Sequence, residues 1–188
     1  VFTGSITSTD QTHCVVGTVR PTKAAKLGLA VLVDPIIGDG LALYVPLPVA
    51  EAIRDDLLPL ATIATPNAFE LQWLSGSRVS NPAEAVAAAR RLAVAEVVAT
   101  SVPAGAGLLA TLAITEDEVF EEITAVVEDV PHGTGDFLAG MYLSNRFRHP
   151  PDVALARSME MLTLAIARSA GGLVLDVVGA LRAGYKSP

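Results

Sequence analysis

Ala30-Val31-Leu32-Val33-Asp34-Pro35-Ile36-Ile37-Gly38-Asp39 begins as an apolar, β-branched run, turns acidic and leaves at a proline. A short continuous apolar run of this kind marks a strand buried on both faces, as in a parallel sheet. The pattern recurs downstream. Ala61-Thr62-Ile63-Ala64 is a short strand cut off by Pro66, and Glu96 to Val102 is another. Between the strands the spacing is helical. Val49, Ile53 and Leu57 share one face of a helix over 48–58. Asn67 caps a helix running to about Ser75, and Asn81-Pro82 opens one over 83–95. Leu108 to Ile114 and Ile123 to Val130 read as two more strands around the turn Thr115-Glu116-Asp117-Glu118. A helix follows from Thr134 to about Arg148 and is broken by His149-Pro150-Pro151. Asp152 then caps a long helix to about Ala170, and a last helix follows Gly171-Gly172 and ends near Gly184. Strands alternating with helices predict an α/β fold with a mainly parallel sheet. No repeat or linker interrupts the chain, which predicts a single domain over 1–188.

The composition narrows the functional classes. The 188 residues are 51% hydrophobic and 18% charged, enough apolar material for a sizeable core. No apolar run is long enough to span a bilayer, and the start lacks a basic-then-apolar signal pattern. These features predict a soluble, cytoplasmic protein. Cys14 is the only cysteine, which excludes an internal disulfide and reads as a buried structural thiol. A net charge of −7 without a basic stripe argues against nucleic acid and against an anionic membrane surface. It does not exclude nucleotides, whose charge can be met by backbone N–H groups and Mg²⁺.

Four stretches could carry chemistry. In Gly133-Thr134-Gly135-Asp136, two glycines permit close backbone approach at the start of a helix, whose unpaired N–H groups form an anion site. Asp136, in the first turn, is placed to take a proton from a hydroxyl arriving there. A plain turn with a dipole-favoured acid explains the same residues. Asp34 and Asp39 sit at the C-terminal end of a predicted strand, where open α/β sheets bind ligands, and could hold Mg²⁺. Asp39-Gly40 is equally a turn signal. Thr65-Pro66-Asn67-Ala68-Phe69-Glu70 reads either as a capping box or as a second site for metal and phosphate. Thr100-Ser101 ends a strand with hydroxyls suited to a nucleotide or to a turn. The histidines show no metal-ligand spacing, and neither a P-loop nor a Gly-x-Ser-x-Gly elbow is present.

The order of these motifs resembles the ribokinase-like (PfkB) superfamily, and its pyridoxal kinase branch most. The carrying residues are Thr3-Gly4, Ser8, Gln11, Asp34 to Asp39, Leu43-Tyr44-Val45-Pro46, Leu58-Pro59-Leu60-Ala61, Thr65 to Glu70, Leu74-Ser75-Gly76, Thr100-Ser101 and Gly133 to Asp136. The resemblance implies a three-layer sandwich of sheet and helices and ATP-dependent phosphorylation of the hydroxymethyl group of pyridoxal. It makes Asp136 the base and Gly133, Thr134 and Gly135 the anion hole. Asp39 and Glu70 match acids around Mg²⁺. Asp34 and Thr65 match positions near a monovalent cation, K⁺ or Na⁺. Asn67, Thr100 and Ser101 match contacts to ATP, with Leu173 to Leu181 near the adenine. A homodimer is implied.

There are departures from the family pattern. Gly4-Ser5-Ile6-Thr7-Ser8 has Ser5 where family members often place a substrate-facing aromatic, and the stretch after Asp39 is short. Relative to the family the chain begins inside the sheet. An upstream part carrying several strands is therefore expected, and the chain as it stands is expected to show little or no kinase turnover. The alternatives are a related kinase for a sugar or hydroxymethylpyrimidine, and a nucleotide-binding homologue without turnover.

Overall fold

The computed structural model describes residues 1–40, 42–169 and 172–184. The chain divides into two compact units, Val1–Thr124 and Ala125–Pro188.

The first unit carries a six-stranded sheet in the order β1 (Phe2–Thr3), β2 (Leu32–Val33), β5 (Ile63–Ala64), β6 (Glu96–Pro103), β7 (Leu108–Thr115), β8 (Val119–Ala125). The pairs β1–β2, β2–β5 and β5–β6 are parallel, and β6–β7 is antiparallel. Leu32 and Val33 point to opposite faces, yet both are fully buried, as the continuous apolar run required. The remaining pair, β3 (Gly38–Asp39) and β4 (Ala42–Leu43), forms a small antiparallel hairpin outside the main sheet. This is the α/β architecture with a mainly parallel sheet flanked by helices that the sequence predicts.

Two helical layers supply the apolar cover. α1 (Thr9–Ala25) and the helical stretch 47–60 pack Val16, Val19, Val49, Ile53 and Leu57 against Val31 and Val33. α3 (Ala68–Ser75) and α4 (Pro82–Ala89) place Leu71, Ala85, Ala88 and Ala89 against Val97, Ala99, Leu112 and Ile114. The stretch 47–60 is one helical run in three patterns: α2 (Leu47–Ala52), a π-helical turn Ile53–Leu57 and a 3₁₀ turn Leu58–Leu60.

Several boundaries differ from the sequence expectation. The helix predicted over 83–95 stops at Ala89, because Arg91 and Leu92 donate to carbonyls three residues back and Ala93 turns left-handed at φ 52°. The strand predicted over 123–130 lies at Val119–Ala125. The Thr115 N–H donates to Glu118 O at 2.9 Å, and this tight turn returns the chain to the sheet at Val119. α1 was not anticipated, although its signal was present. The Ser8 hydroxyl accepts the Gln11 N–H at 3.2 Å, and Gln11 Oε1 accepts the Thr7 N–H at 2.8 Å. Pro21 inside the helix and weak apolar periodicity hid it. Cys14 is exposed on this helix, not buried as expected, because the inward face is Thr12, Val16 and Val19.

The second unit holds α5 (Thr134–Arg146), α6 (Pro151–Arg168) and α7 (Val177–Gly184). α6 begins at Pro151, so Asp152 lies in its first turn and does not cap it. Phe137, Met141, Met161, Ala165, Leu175 and Ala180 form its core. A buried polar link joins α5 to α6: Asn145 Nδ2 donates to Met141 O at 3.0 Å and to Ser158 Oγ at 3.1 Å. Ser158→Ala is therefore expected to destabilise the unit by about 1–2 kcal/mol, since it removes one acceptor of a buried amide. A urea midpoint unchanged from wild type would contradict this. Among the described residues no helix is long and apolar enough to cross a membrane.

Candidate functional site

In the second unit, Gly133 stands at φ 95° as the N-cap of α5, a conformation that favours glycine, and among the described residues no side chain caps the helix. The N–H groups of the first turn therefore lack intrahelical acceptors. A Cβ built at Gly133, Gly135 or Gly140 would meet no atom within 4 Å, so open space lies over this helix start. Asp136, in the first turn, is exposed and lines a cavity of about 440 Å³. His132, Gly133, Phe137, Gly140 and Met141 share its wall, and Val174, Leu175, Val177 and Leu181 complete it. The turn is tied to that wall by two backbone bonds. The His132 N–H donates to Leu173 O at 3.1 Å, and the Leu175 N–H donates to His132 O at 3.3 Å. Leu173 itself is 83% exposed and offers its carbonyl, while its neighbours line the cavity.

In the first unit, parallel strands bring three of the predicted stretches to one sheet edge. Asp34 follows β2, Thr65 follows β5, and Thr100 lies in β6. The Asp34 N–H donates to Thr3 O at 3.0 Å, the Thr65 N–H to Val33 O at 3.1 Å and the Thr100 N–H to Pro66 O at 2.9 Å. Asp34 and Thr65 are buried. Thr65 Oγ1 is buried and has no hydrogen-bond partner among the described residues, which is unusual for a buried hydroxyl. Asn67 pairs with Thr100 in an isolated parallel bridge. Ser101 sits in a β-bulge between Ala99 and Val102 at φ 53°, which turns its exposed side chain out of the ladder.

Glu70, 3% exposed, is committed to backbone. Its Oε1 accepts from the N–H groups of Ile37 at 2.9 Å and Gly38 at 3.4 Å, and its Oε2 accepts from Asn67 N–H at 3.0 Å. Asn67 completes the capping box: Oδ1 accepts the Glu70 N–H, and Nδ2 donates to Gly38 O, both at 2.9 Å. Burial raises the Glu70 pKa above the ordinary carboxylate value; the three N–H bonds oppose this, and the Asp39 charge adds to it. The clamped turn is itself strained. Ile36, a β-branched residue, stands at φ 42°. A Cβ on Gly38 would meet the Phe69 ring and Ala42 O, leaving no room for another residue. Asp39 is exposed, and its Oδ1 accepts the Gly40 N–H at 2.7 Å. Tyr44 lies beside it. Although Tyr44 is 66% exposed, partial desolvation and then the Asp39 carboxylate, through charge and a hydrogen bond, raise the phenol's pKa. Tyr44 was not singled out as a site residue from the sequence; nor were Phe137 and Met141, whose i, i+4 spacing reads as core. Among the described residues no three His, Cys, Asp or Glu side chains enclose a metal ion by themselves. Mg²⁺ bound with phosphates needs only one or two carboxylates.

Residues 1–172 match the family model described as phosphomethylpyrimidine kinase. Among curated proteins the chain is 28% identical over 173 residues to a pyridoxal kinase of Arabidopsis thaliana, covering 87% of this chain and 56% of that protein. It is 32% identical over 169 residues to a pyridoxine/pyridoxal/pyridoxamine kinase of Bordetella bronchiseptica, covering 85% of this chain and 60% of the relative. The chain thus spans little more than half the length of these relatives. Among solved structures, the pyridoxal kinase of Leishmania donovani in complex with ADP and pyridoxamine superposes with a TM-score of 0.86 at 29% identity, covering 100% of this chain and 71% of that one. The match over most of its length and the shared architecture establish that the chain belongs to the phosphomethylpyrimidine kinase family.

Proposed function

We propose that this chain carries the phosphoryl-transfer machinery of an ATP-dependent kinase that phosphorylates the hydroxymethyl group of pyridoxal. The observation that carries the reading is Asp136, exposed in a cavity that opens over a glycine-lined helix start. The Asp136 carboxylate takes the proton from the hydroxymethyl O–H as that oxygen attacks the γ-phosphorus. The N–H groups at Gly133, Thr134 and Gly135 hold the negative oxygens of the moving phosphoryl, and ADP leaves. The apolar wall from Val174 to Leu181 suits the adenine, with Leu173 contributing backbone. Asn67, Thr100 and Ser101 serve the nucleotide side.

Asp39, exposed and hydrogen-bonded by the Gly40 N–H and the Tyr44 hydroxyl, would hold Mg²⁺. Mg²⁺, when bound, neutralises charge on the phosphates. Glu70 supports it by fixing the turn that carries Asp39. The unpartnered Thr65 hydroxyl fits a monovalent cation, K⁺ or Na⁺, held together with Asp34. The two units work as one kinase domain over 1–188, in a cytoplasmic homodimer.

A second reading takes hydroxymethylpyrimidine as the acceptor, in keeping with a family description that names a methylpyrimidine, there in its phosphorylated form. ATP consumption measured with pyridoxal, pyridoxine, pyridoxamine, hydroxymethylpyrimidine and ribose separates the two. The first reading expects the B6 vitamers to exceed the others by at least about tenfold in kcat/KM. A preference for hydroxymethylpyrimidine selects the second. ADP binding with no turnover on any acceptor by a full-length version overturns the kinase assignment and leaves a nucleotide-binding homologue.

A further inference from the structure

We propose that Ser169 and Asp176 are positioning residues, a latch between the end of α6 and the start of α7 that sets the Val174–Leu175 wall against the glycine turn. The functional part of this inference rests on the reading of that cavity as the nucleotide side of the site.

Ser169, 5% exposed, ends α6. Its hydroxyl is used in both directions: it donates to Ala165 O at 2.7 Å and accepts the Asp176 N–H at 2.7 Å. Asp176 in turn caps α7. Its Oδ1 accepts the Gly179 N–H at 2.9 Å, and its Oδ2 meets Arg168 Nε at 3.3 Å. Gly179 is glycine for this reason: a Cβ there would meet the Asp176 carboxylate, and would lie 2.8 Å from an Arg168 guanidinium nitrogen.

The wall between these anchors cannot hold itself by burial alone. Leu175 is 6% exposed and packs with Phe137 and Met141, but Val174 is 73% exposed. Its position follows from backbone ties on both sides. Ahead, His132 exchanges hydrogen bonds with Leu173 and Leu175. Behind, Ser169 holds the N–H of Asp176. The Arg168–Asp176 pair is about 40% exposed on both partners (42% and 43%), so it contributes little, and the buried hydroxyl and the helix cap carry the latch.

The test combines amide hydrogen exchange at His132 and Leu175 with titration of ADP into the same chain. Ser169→Ala is expected to speed exchange at both amides by about tenfold and to weaken ADP binding roughly fivefold. Ser169→Thr, which keeps the hydroxyl, restores both. Arg168→Ala leaves both within about twofold. If Ser169→Ala does not fold, Asp176→Ala removes the α7 cap, losing toward α6 only the half-exposed Arg168 pair, and is expected to move both readouts the same way. Unchanged exchange at His132 and Leu175 overturns the latch. Faster exchange with a measurable but unchanged ADP affinity overturns its positioning role. Faster exchange in a chain whose wild type binds no ADP supports the latch and overturns the nucleotide reading of the cavity.

Discussion

Asp136→Asn lowers kcat for ATP-dependent phosphorylation by about 10²–10⁴ while ADP affinity stays within about threefold. The asparagine keeps the shape and the first-turn position of Asp136 but cannot take a proton. The cavity, the left-handed Gly133 and the free helix start are unaffected by the change. Binding groups and base are therefore separable here, and the loss falls on the chemical step. The comparison uses wild-type and variant proteins carrying identical upstream sequence, with a coupled assay for ADP. Turnover retained in Asp136→Asn removes Asp136 from the base role. A large loss of ADP affinity shows instead that the carboxylate shapes the nucleotide site.

The second large effect is on stability. Glu70→Ala is expected to destabilise the first unit by about 3 kcal/mol. It leaves the N–H groups of Ile37, Gly38 and Asn67 without their acceptor. Each orphaned buried donor costs about 1–3 kcal/mol, and relief of the desolvated carboxylate returns part of the total. The buried Ile37 side chain still anchors the turn between β2 and β3, but an apolar group cannot accept the freed N–H groups, and Ile36 is already strained. Gly38→Ala attacks the same turn from the other side, where the new methyl would lie 2.5 Å from Ala42 O. Trp73, the only tryptophan, lies in α3 with Arg54 stacked 5.1 Å from its ring centre, so its fluorescence follows urea unfolding of this unit directly. A Glu70→Ala midpoint equal to wild type would mean that the clamp is dispensable.

Glu70 also shows which half of a motif is legible in the sequence. The Asn67–Glu70 spacing reads as a capping box or as a metal site. The structure forms the capping box in full, and the same carboxylate reaches across to Ile37 and Gly38, thirty-odd residues away in the chain. The local half was readable because it depends on a three-residue spacing. The reach to the turn was not, because it depends on β2 and β5 being parallel neighbours. Similarly, Ser8 and Gln11 announce a helix locally, whereas the exposure of Cys14 depends on which face of α1 meets the sheet.

What the sequence determined by itself is the set of features decided within a few residues. These are buried strands from continuous apolar runs, helix starts at Asn67, Asn81-Pro82 and Gly133-Thr134, and the acids that follow strands. Such features depend on backbone sterics, capping and periodicity, which act at short range. What only the tertiary structure decided is which polar atoms are already satisfied and which face open space. Glu70 is consumed by three backbone donors, Thr65 Oγ1 is left without one, and Asp136 lines a cavity whose far wall lies nearly forty residues downstream. Hydrogen-bond satisfaction and cavity shape are properties of chain segments distant in sequence and packed together, and no local pattern encodes them.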